Sequence, residues 1–225
     1  MSIKFLLKKI KGCKIMKAFF GKYSYTMVKM FITQVAVGLF GAVIAMAMSS
    51  ISENEKTNDT WLLVTGILSA LFFLFLLYTT VWEIGAKDRI SIDLGKLKSR
   101  PYLGFLIGFI ANGPNIIIAT VYTVCWFSSH GAAGAATDTA GVMRVLAFII
   151  EGMYYGILAA LKIGGQQLFV YWWAYFAIII PGVLVSGIAY ILGSKNVHFT
   201  KIMDPVYPES DREPKKKLFE RRKDD

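Results

Sequence analysis

Residues Trp61–Trp82 have the sequence WLLVTGILSALFFLFLLYTTVW, which contains no charged side chain. A helix rises about 1.5 Å per residue, so a segment of this length covers roughly the 30 Å of hydrocarbon in a bilayer. Four other segments have a similar length and apolar content, and they are Thr26–Ser49, Tyr102–Phe127, Val142–Lys162 and Leu168–Leu192. The sequence therefore predicts an all-α, polytopic integral membrane helical bundle with about five hydrophobic segments.

The composition of the 225 residues agrees with this class. Hydrophobic residues make up 55% of the chain and charged residues only 18%, which is too little polar surface for a soluble globule of this size. The formal net charge is +10, but the basic residues cluster beside the apolar segments. In that position they orient the helices and contact anionic lipid. We therefore expect a lipid bilayer as the environment, anionic lipids at the basic N-terminus, and no binding to nucleic acid.

Three regions follow from the pattern of charge and hydrophobicity. Residues 1–25 form a basic segment with an amphipathic helical period, residues 26–194 form the transmembrane domain, and residues 195–225 form a charged, flexible tail.

The sequence contains no P-loop, no zinc-binding histidine pair and no recognisable nucleophile motif. We therefore predict no cofactor, no metal site and no enzymatic activity.

The distribution of Lys and Arg between short loops predicts the orientation, because these residues are enriched on the cytoplasmic side. Seven lysines lie within residues 4–22, whereas the loop from Ser128 to Gly141 has neither Lys nor Arg. We expect a cytoplasmic N-terminus in the plasma membrane. Five full crossings would place the basic tail outside, so two arrangements stay open: an outside tail, or a cytoplasmic tail because one segment is re-entrant.

The third apolar segment contains the sequence Asn112-Gly113-Pro114-Asn115 near its middle. Proline removes a backbone donor and clashes with the carbonyl four residues earlier, so we expect a broken or re-entrant helix here. Transporters build binding sites from such interrupted helices, and the amides of Asn112 and Asn115 would be available to a ligand. The alternative is a simple proline kink whose amides bond to neighbouring helices.

Glu151 is an acidic residue well inside the fourth segment, where a carboxylate without a partner is unfavourable. Arg144 precedes it by two helical turns on the same face, about 10 Å along the axis, which is long for a direct ion pair. The functional hypothesis is a proton- or cation-linked site at Glu151, facing Asn112 or Asn115. The structural alternative is a buried acid bonded to another helix.

A group of charged residues follows the second segment, with Glu83, Lys87, Asp88 and Arg89 around a turn expected at Gly85. One hypothesis is a loop that docks a partner subunit, and the other is an ordinary solvated loop with local salt bridges.

Small residues spaced four apart, such as Gly152 and Gly156, predict close helix packing within the chain or in a homo-oligomer.

Two functions are consistent with these patterns. The first is a transporter component or permease-like subunit, with a candidate intramembrane polar site formed by Asn112, Pro114, Asn115, Glu151 and Arg144. The second is a non-transporting membrane scaffold or regulatory subunit that binds partner proteins. A water-accessible cavity that reaches Glu151 would favour the first function, and a dry, packed interior would favour the second.

Overall fold

The computed structural model describes residues 3–51, 55–95, 100–129 and 135–195. The side chains before Lys17 and the tail from residue 196 onward lie outside the described residues, so the amphipathic N-terminal face and the flexible tail stay predictions. The helices are α1 (Ile3–Ile51), α2 (Glu55–Asp93), α3 (Leu103–Ala111), α4 (Gly113–Ser129), α5 (Ala135–Ala160), α6 (Trp172–Ala177) and α7 (Ile179–Ser194). A hairpin of β1 (Lys162–Ile163) and β2 (Gln166–Gln167), followed by a 3-10 helix (Leu168–Val170), connects α5 to α6.

The predicted membrane bundle is confirmed. Candidate spans that are long and apolar enough to cross a bilayer are Phe19–Ser50, Thr57–Asp93, Thr137–Ala160 and Trp172–Ser194, and the pair α3 and α4 passes the same test as one bent unit. Large apolar side chains such as Leu39, Phe40 and Phe72 are exposed on the outside of the bundle. A lipid environment accommodates such a surface, whereas water does not.

The third segment is broken at Asn112, as the sequence predicts. The axes of α3 and α4 differ by 55° at this point. Pro114 contributes no N–H to the second helix, so the helical ladder is interrupted there. The backbone of Asn112 connects the two helices, because its N–H donates to the Gly108 carbonyl (3.1 Å) and its carbonyl accepts from the Ile116 N–H (3.0 Å). The junction therefore keeps these backbone groups bonded where lipid would offer no partners.

Glycines allow the helix backbones to approach one another closely. Gly38 of α1 lies against Gly152 of α5, and Gly66 of α2 lies against Gly156, one turn further along α5. At each of these positions an added Cβ would overlap backbone or side-chain atoms of the facing helix. Helices in lipid associate through such close packing, because no hydrophobic force drives them together. The predicted contacts at Gly152 and Gly156 are therefore present within one chain.

Contacts at two depths show that α2 and α7 run in the same direction. Gly182 lies near Leu77, and further along both helices the Tyr190 hydroxyl donates to the Asp88 carboxylate (2.9 Å). The hydroxyl of Tyr23, in the first half of α1, donates to the same carboxylate (2.5 Å). The C-terminal end of α7 therefore lies at the same end of the bundle as the first half of α1.

The direction of α5 accounts for this arrangement. Gly38 lies against Ile150 and Gly41 against Met153, so the last part of α5 runs parallel to α1 and ends with it. Since α2 returns to the end of the bundle where α1 begins, α3, α4 and α5 together make a single net crossing. One of the two apolar segments in this region therefore does not cross completely. The geometry favours the second predicted arrangement, because α7 ends on the side where α1 begins.

We expect a tag placed before Met1 and a tag placed after Asp225 to be labelled under the same conditions. An impermeant reagent should reach both tags only after cells are opened, because the basic N-terminal segment is expected inside and α7 ends beside α1. Labelling of the C-terminal tag alone in intact cells would contradict the packing of α7 parallel to α2.

Replacing Gly156 with Ala should destabilise the bundle by about 1–3 kcal/mol, the usual range for overpacking. The added Cβ would overlap the Leu62 carbonyl oxygen. Thermal unfolding of the purified protein in detergent measures the effect. Gly141→Ala is the matched control on the same helix, since nothing lies within 4 Å of the new methyl group. An equal melting temperature for the two variants would show that α5 does not pack on α2 in this way.

Candidate functional site

A cavity of about 790 Å³ lies between the last turns of α1, the middle of α5, the 3-10 helix and the junction of α6 with α7. Pockets that hold small organic molecules have about 300–1,000 Å³. The hydroxyls of Ser49 and Ser50 line one side, but each donates to a carbonyl in the preceding turn of α1 (3.0 Å). The charged groups of the lining are Arg144 and Glu151, both from α5.

Glu151 is only 7% exposed and lines this cavity. Within the described ranges no hydrogen bond or ion pair to its carboxyl group is found. Its backbone departs from helical geometry (φ −114°, ψ 19°), so α5 is kinked at this residue. Gly152, directly after the kink, packs against the Gly38 carbonyl. The contact between α5 and α1 therefore places at the wall of the cavity a buried carboxyl group that has no partner among the described residues.

Arg144 is held by aromatic side chains and by one hydrogen bond. Its Nη2 donates to the Tyr122 hydroxyl (3.1 Å), and that hydroxyl donates to the Val170 carbonyl (2.9 Å). The guanidinium carbon lies 5.6 Å from the centre of the Tyr122 ring and 5.8 Å from that of Phe169, which are cation–π distances. The Nε–H is buried and has no partner in the part of the chain that the structure describes. Most of the donors of Arg144 are therefore unused by the described protein groups.

Arg144 and Glu151 do not form an ion pair with each other in the described structure. They lie two turns apart on α5, which agrees with the separation expected from the sequence. Phe148 and Tyr155 lie on the same face at intervals of three and four residues. The cavity wall on α5 thus includes a cation, an aromatic ring, a carboxyl group and a second aromatic ring, in addition to small and aliphatic residues.

The predicted asparagine site lies elsewhere. Asn112 and Asn115 are buried, and neither they nor Pro114 belong to the described lining of the cavity. The Asn112 amide donates to the Gly108 carbonyl (2.8 Å), and the Asn115 amide donates to Asn112 Oδ1 (3.1 Å). The side-chain oxygen of Asn115, Oδ1, has no partner among the described residues. The five candidate residues are therefore divided, with Arg144 and Glu151 at the cavity and the other three at the helix break.

Asp88 is buried, although the sequence suggested a solvated loop. It accepts hydrogen bonds from Tyr23 and Tyr190, and it forms an ion pair with Lys22 (2.7 Å). These four residues are called the Asp88 cluster below, and they join α1, α2 and α7. The turn expected at Gly85 is wrong, because α2 remains helical to Asp93 and Gly85 packs against the backbone of α7 instead.

The other residues of the predicted docking loop form local pairs. Lys87 bonds to Glu83 (2.6 Å), and Arg89 pairs with Asp93 (3.4 Å), each one turn apart on α2. Arg89 also donates to the Ser194 carbonyl at the end of α7 (3.4 Å). A role of these residues in docking a partner stays a prediction.

Aromatic residues that line the cavity were not singled out from the sequence. Phe148 and Tyr155 meet edge to face (4.6 Å between ring centres), and Tyr155 stacks on Phe169 (6.1 Å). The Tyr175 hydroxyl donates to the Phe169 carbonyl (2.8 Å) and so fixes the 3-10 helix to α6. Phe148 and Tyr155 share a helical face with Arg144, and that spacing is a sequence signal that they line the same site. Phe169 and Tyr175 belong to other elements, so the sequence carries no such signal for them.

Within the described parts of the chain, no group of three or more His, Cys, Asp or Glu residues is placed to hold a metal ion. Comparisons with protein-family models, with curated proteins and with solved structures found no match to this chain. The chemistry of the cavity is therefore interpreted from its own residues.

Replacing Tyr190 with Phe should destabilise the protein by about 1.5–3 kcal/mol, the usual contribution of a hydrogen bond to a charged group. The change removes one donor to the buried Asp88 carboxylate without altering the shape of the ring. Thermal or denaturant unfolding in detergent measures the loss. Tyr25→Phe is the control, since Tyr25 is 79% exposed. If Tyr190→Phe were as stable as Tyr25→Phe, the Asp88 cluster would not hold the three helices together.

Proposed function

We propose that this multi-pass membrane protein is a transporter component that binds a small solute in the cavity between α1, α5 and the α6–α7 junction. The observation that carries the proposal is the carboxyl group of Glu151, which is buried, has no partner among the described residues and lines a cavity of about 790 Å³. Ionisable groups within membrane helices usually mark a substrate or ion pathway, because their burial is unfavourable unless a function requires it.

The position of the cavity supports access from one side of the membrane. Its lining includes Ser49 and Ser50 at the C-terminal end of α1, whereas the Asp88 cluster joins the helices near the opposite end. A binding cavity placed toward one end and a closed polar contact at the other agree with a site that is reached from one side of the membrane at a time. With the N-terminal lysines in the cytoplasm, the cavity faces outward and the Asp88 cluster lies at the inner surface.

The proposal predicts that proteoliposomes containing the protein take up at least one class of small solute. A panel of radiolabelled amino acids, organic cations, organic anions and sugars is suitable for this measurement. Uptake should fall by at least about tenfold in Glu151→Gln, which keeps the shape of the side chain but removes the charge. Glu83→Gln is the control, because Glu83 is paired with Lys87 on the outer surface of α2, and it should retain full uptake.

Cysteine labelling shows whether a negative result concerns the cavity or the transport activity. In a chain without its native cysteines, a water-soluble thiol reagent should label Phe148→Cys, which lines the cavity, but not Ile149→Cys, which does not. Equal labelling at the two positions would overturn the cavity. Selective labelling without uptake of any class would overturn transport and support the scaffold or regulatory alternative.

A further inference from the structure

We infer that the cavity binds a small zwitterion of the amino-acid type, with its anionic group at Arg144, its ammonium group at Glu151 and a large apolar part against the aromatic wall. This inference deepens the proposed function and rests on it. The observations behind it are the two ionisable side chains of opposite type that α5 places at the cavity, Arg144 and Glu151, and the aromatic side chains beside them.

Arg144 provides the anion-binding end. A guanidinium carries five N–H donors in a planar fork that matches a carboxylate, and contact with aromatic rings leaves those donors available. Among the described residues one hydrogen bond of the guanidinium is found, from Nη2 to the Tyr122 hydroxyl, and Nη1 has no partner there. A donor without a partner is unfavourable inside a membrane protein, and a ligand carboxylate would satisfy the Nη1 donors.

Glu151 provides the cation-binding end. It is nine-tenths buried, and the nearest cation in its own lining is Arg144, two turns away and not paired with it. An ammonium group has three donors that a carboxylate can accept, and it would supply the missing opposite charge. A purely anionic ligand would leave Glu151 without a partner, and a purely cationic ligand would do the same to Arg144.

The aromatic surface beside the two ionisable groups selects the rest of the ligand. About 10 Å of helix axis separates Arg144 from Glu151, and Phe148 lies between them on the same face. Tyr155 and Phe169, which are stacked on each other, extend the apolar wall. A cavity of about 790 Å³ has room for a large apolar side chain in addition to the two charged groups. An amino acid with an aromatic side chain fits this combination.

Three ligands that differ by one charged group test the inference. L-Phenylalanine carries both groups, phenethylamine lacks the carboxylate, and 3-phenylpropionate lacks the ammonium group. Thermal-shift titrations of the full chain in nanodiscs give an apparent Kd for each ligand. We expect phenylalanine to bind at least about tenfold more tightly than either analogue, because each analogue leaves one buried charge unpaired. Equal binding of all three would overturn the zwitterion and leave the proposed function intact.

Two variants show which side chain binds the carboxylate of the ligand and which binds its ammonium group. In Arg144→Gln the advantage of phenylalanine over phenethylamine should disappear, and in Glu151→Gln its advantage over 3-phenylpropionate should disappear. Lys87→Gln and Glu83→Gln change a similar pair outside the cavity and should preserve both advantages. The comparison among ligands in the unmodified protein remains decisive even if a variant fails to fold.

A phospholipid headgroup is a second source of the same chemistry, with its phosphate at Arg144 and its ammonium group at Glu151. Native mass spectrometry distinguishes the two sources. We expect phenylalanine to displace any phosphatidylethanolamine retained by the protein. Retention that depends on Glu151, together with no response to phenylalanine, would overturn the free solute as the occupant. A protein that binds none of these probes and takes up no solute class would contradict the proposed function as well.

Discussion

The close approach of helix backbones at glycine is the constraint on which the rest of the structure depends. Lipid provides no hydrophobic force between helices, so α5 is held against α1 and α2 by close packing, which is tightest where the backbones come into contact. Gly152 and Gly156 provide that contact, and Glu151 directly precedes the first of them. The same contact that makes the bundle compact therefore determines where the buried carboxyl group lies and how deep the cavity reaches.

The polar groups of the bundle fall into two kinds. At one end the Asp88 carboxylate has two tyrosine donors and a lysine, so its burial is compensated by groups from three helices. Away from this end, Arg144 and Glu151 border the cavity and lack such compensation among the described residues. A buried charge with several partners is accounted for within the protein, whereas a buried ionisable group in a membrane helix without a partner points to a functional site.

Those features that depend on local properties could be predicted from the sequence. Hydrophobic length gave the spans, and the chemistry of proline gave the break at Pro114. The turn expected at Gly85 was wrong because glycine serves there for close packing against α7, a distant element. Asp88 follows a lysine and looked solvated, since nothing local shows that Tyr23 and Tyr190 reach it. The cavity could not be foreseen either, because it depends on where helices diverge.

The Asp88 cluster also has a consequence for biosynthesis. Tyr190 is 102 residues beyond Asp88 in the chain, and synthesis at about 5–20 residues per second separates the two by roughly 5–20 seconds. During that interval α1 and α2 are already made, and the carboxylate has Tyr23 and Lys22 but lacks its third partner. The nascent protein therefore carries an acid without its full set of partners at a helix interface until α7 has been synthesised.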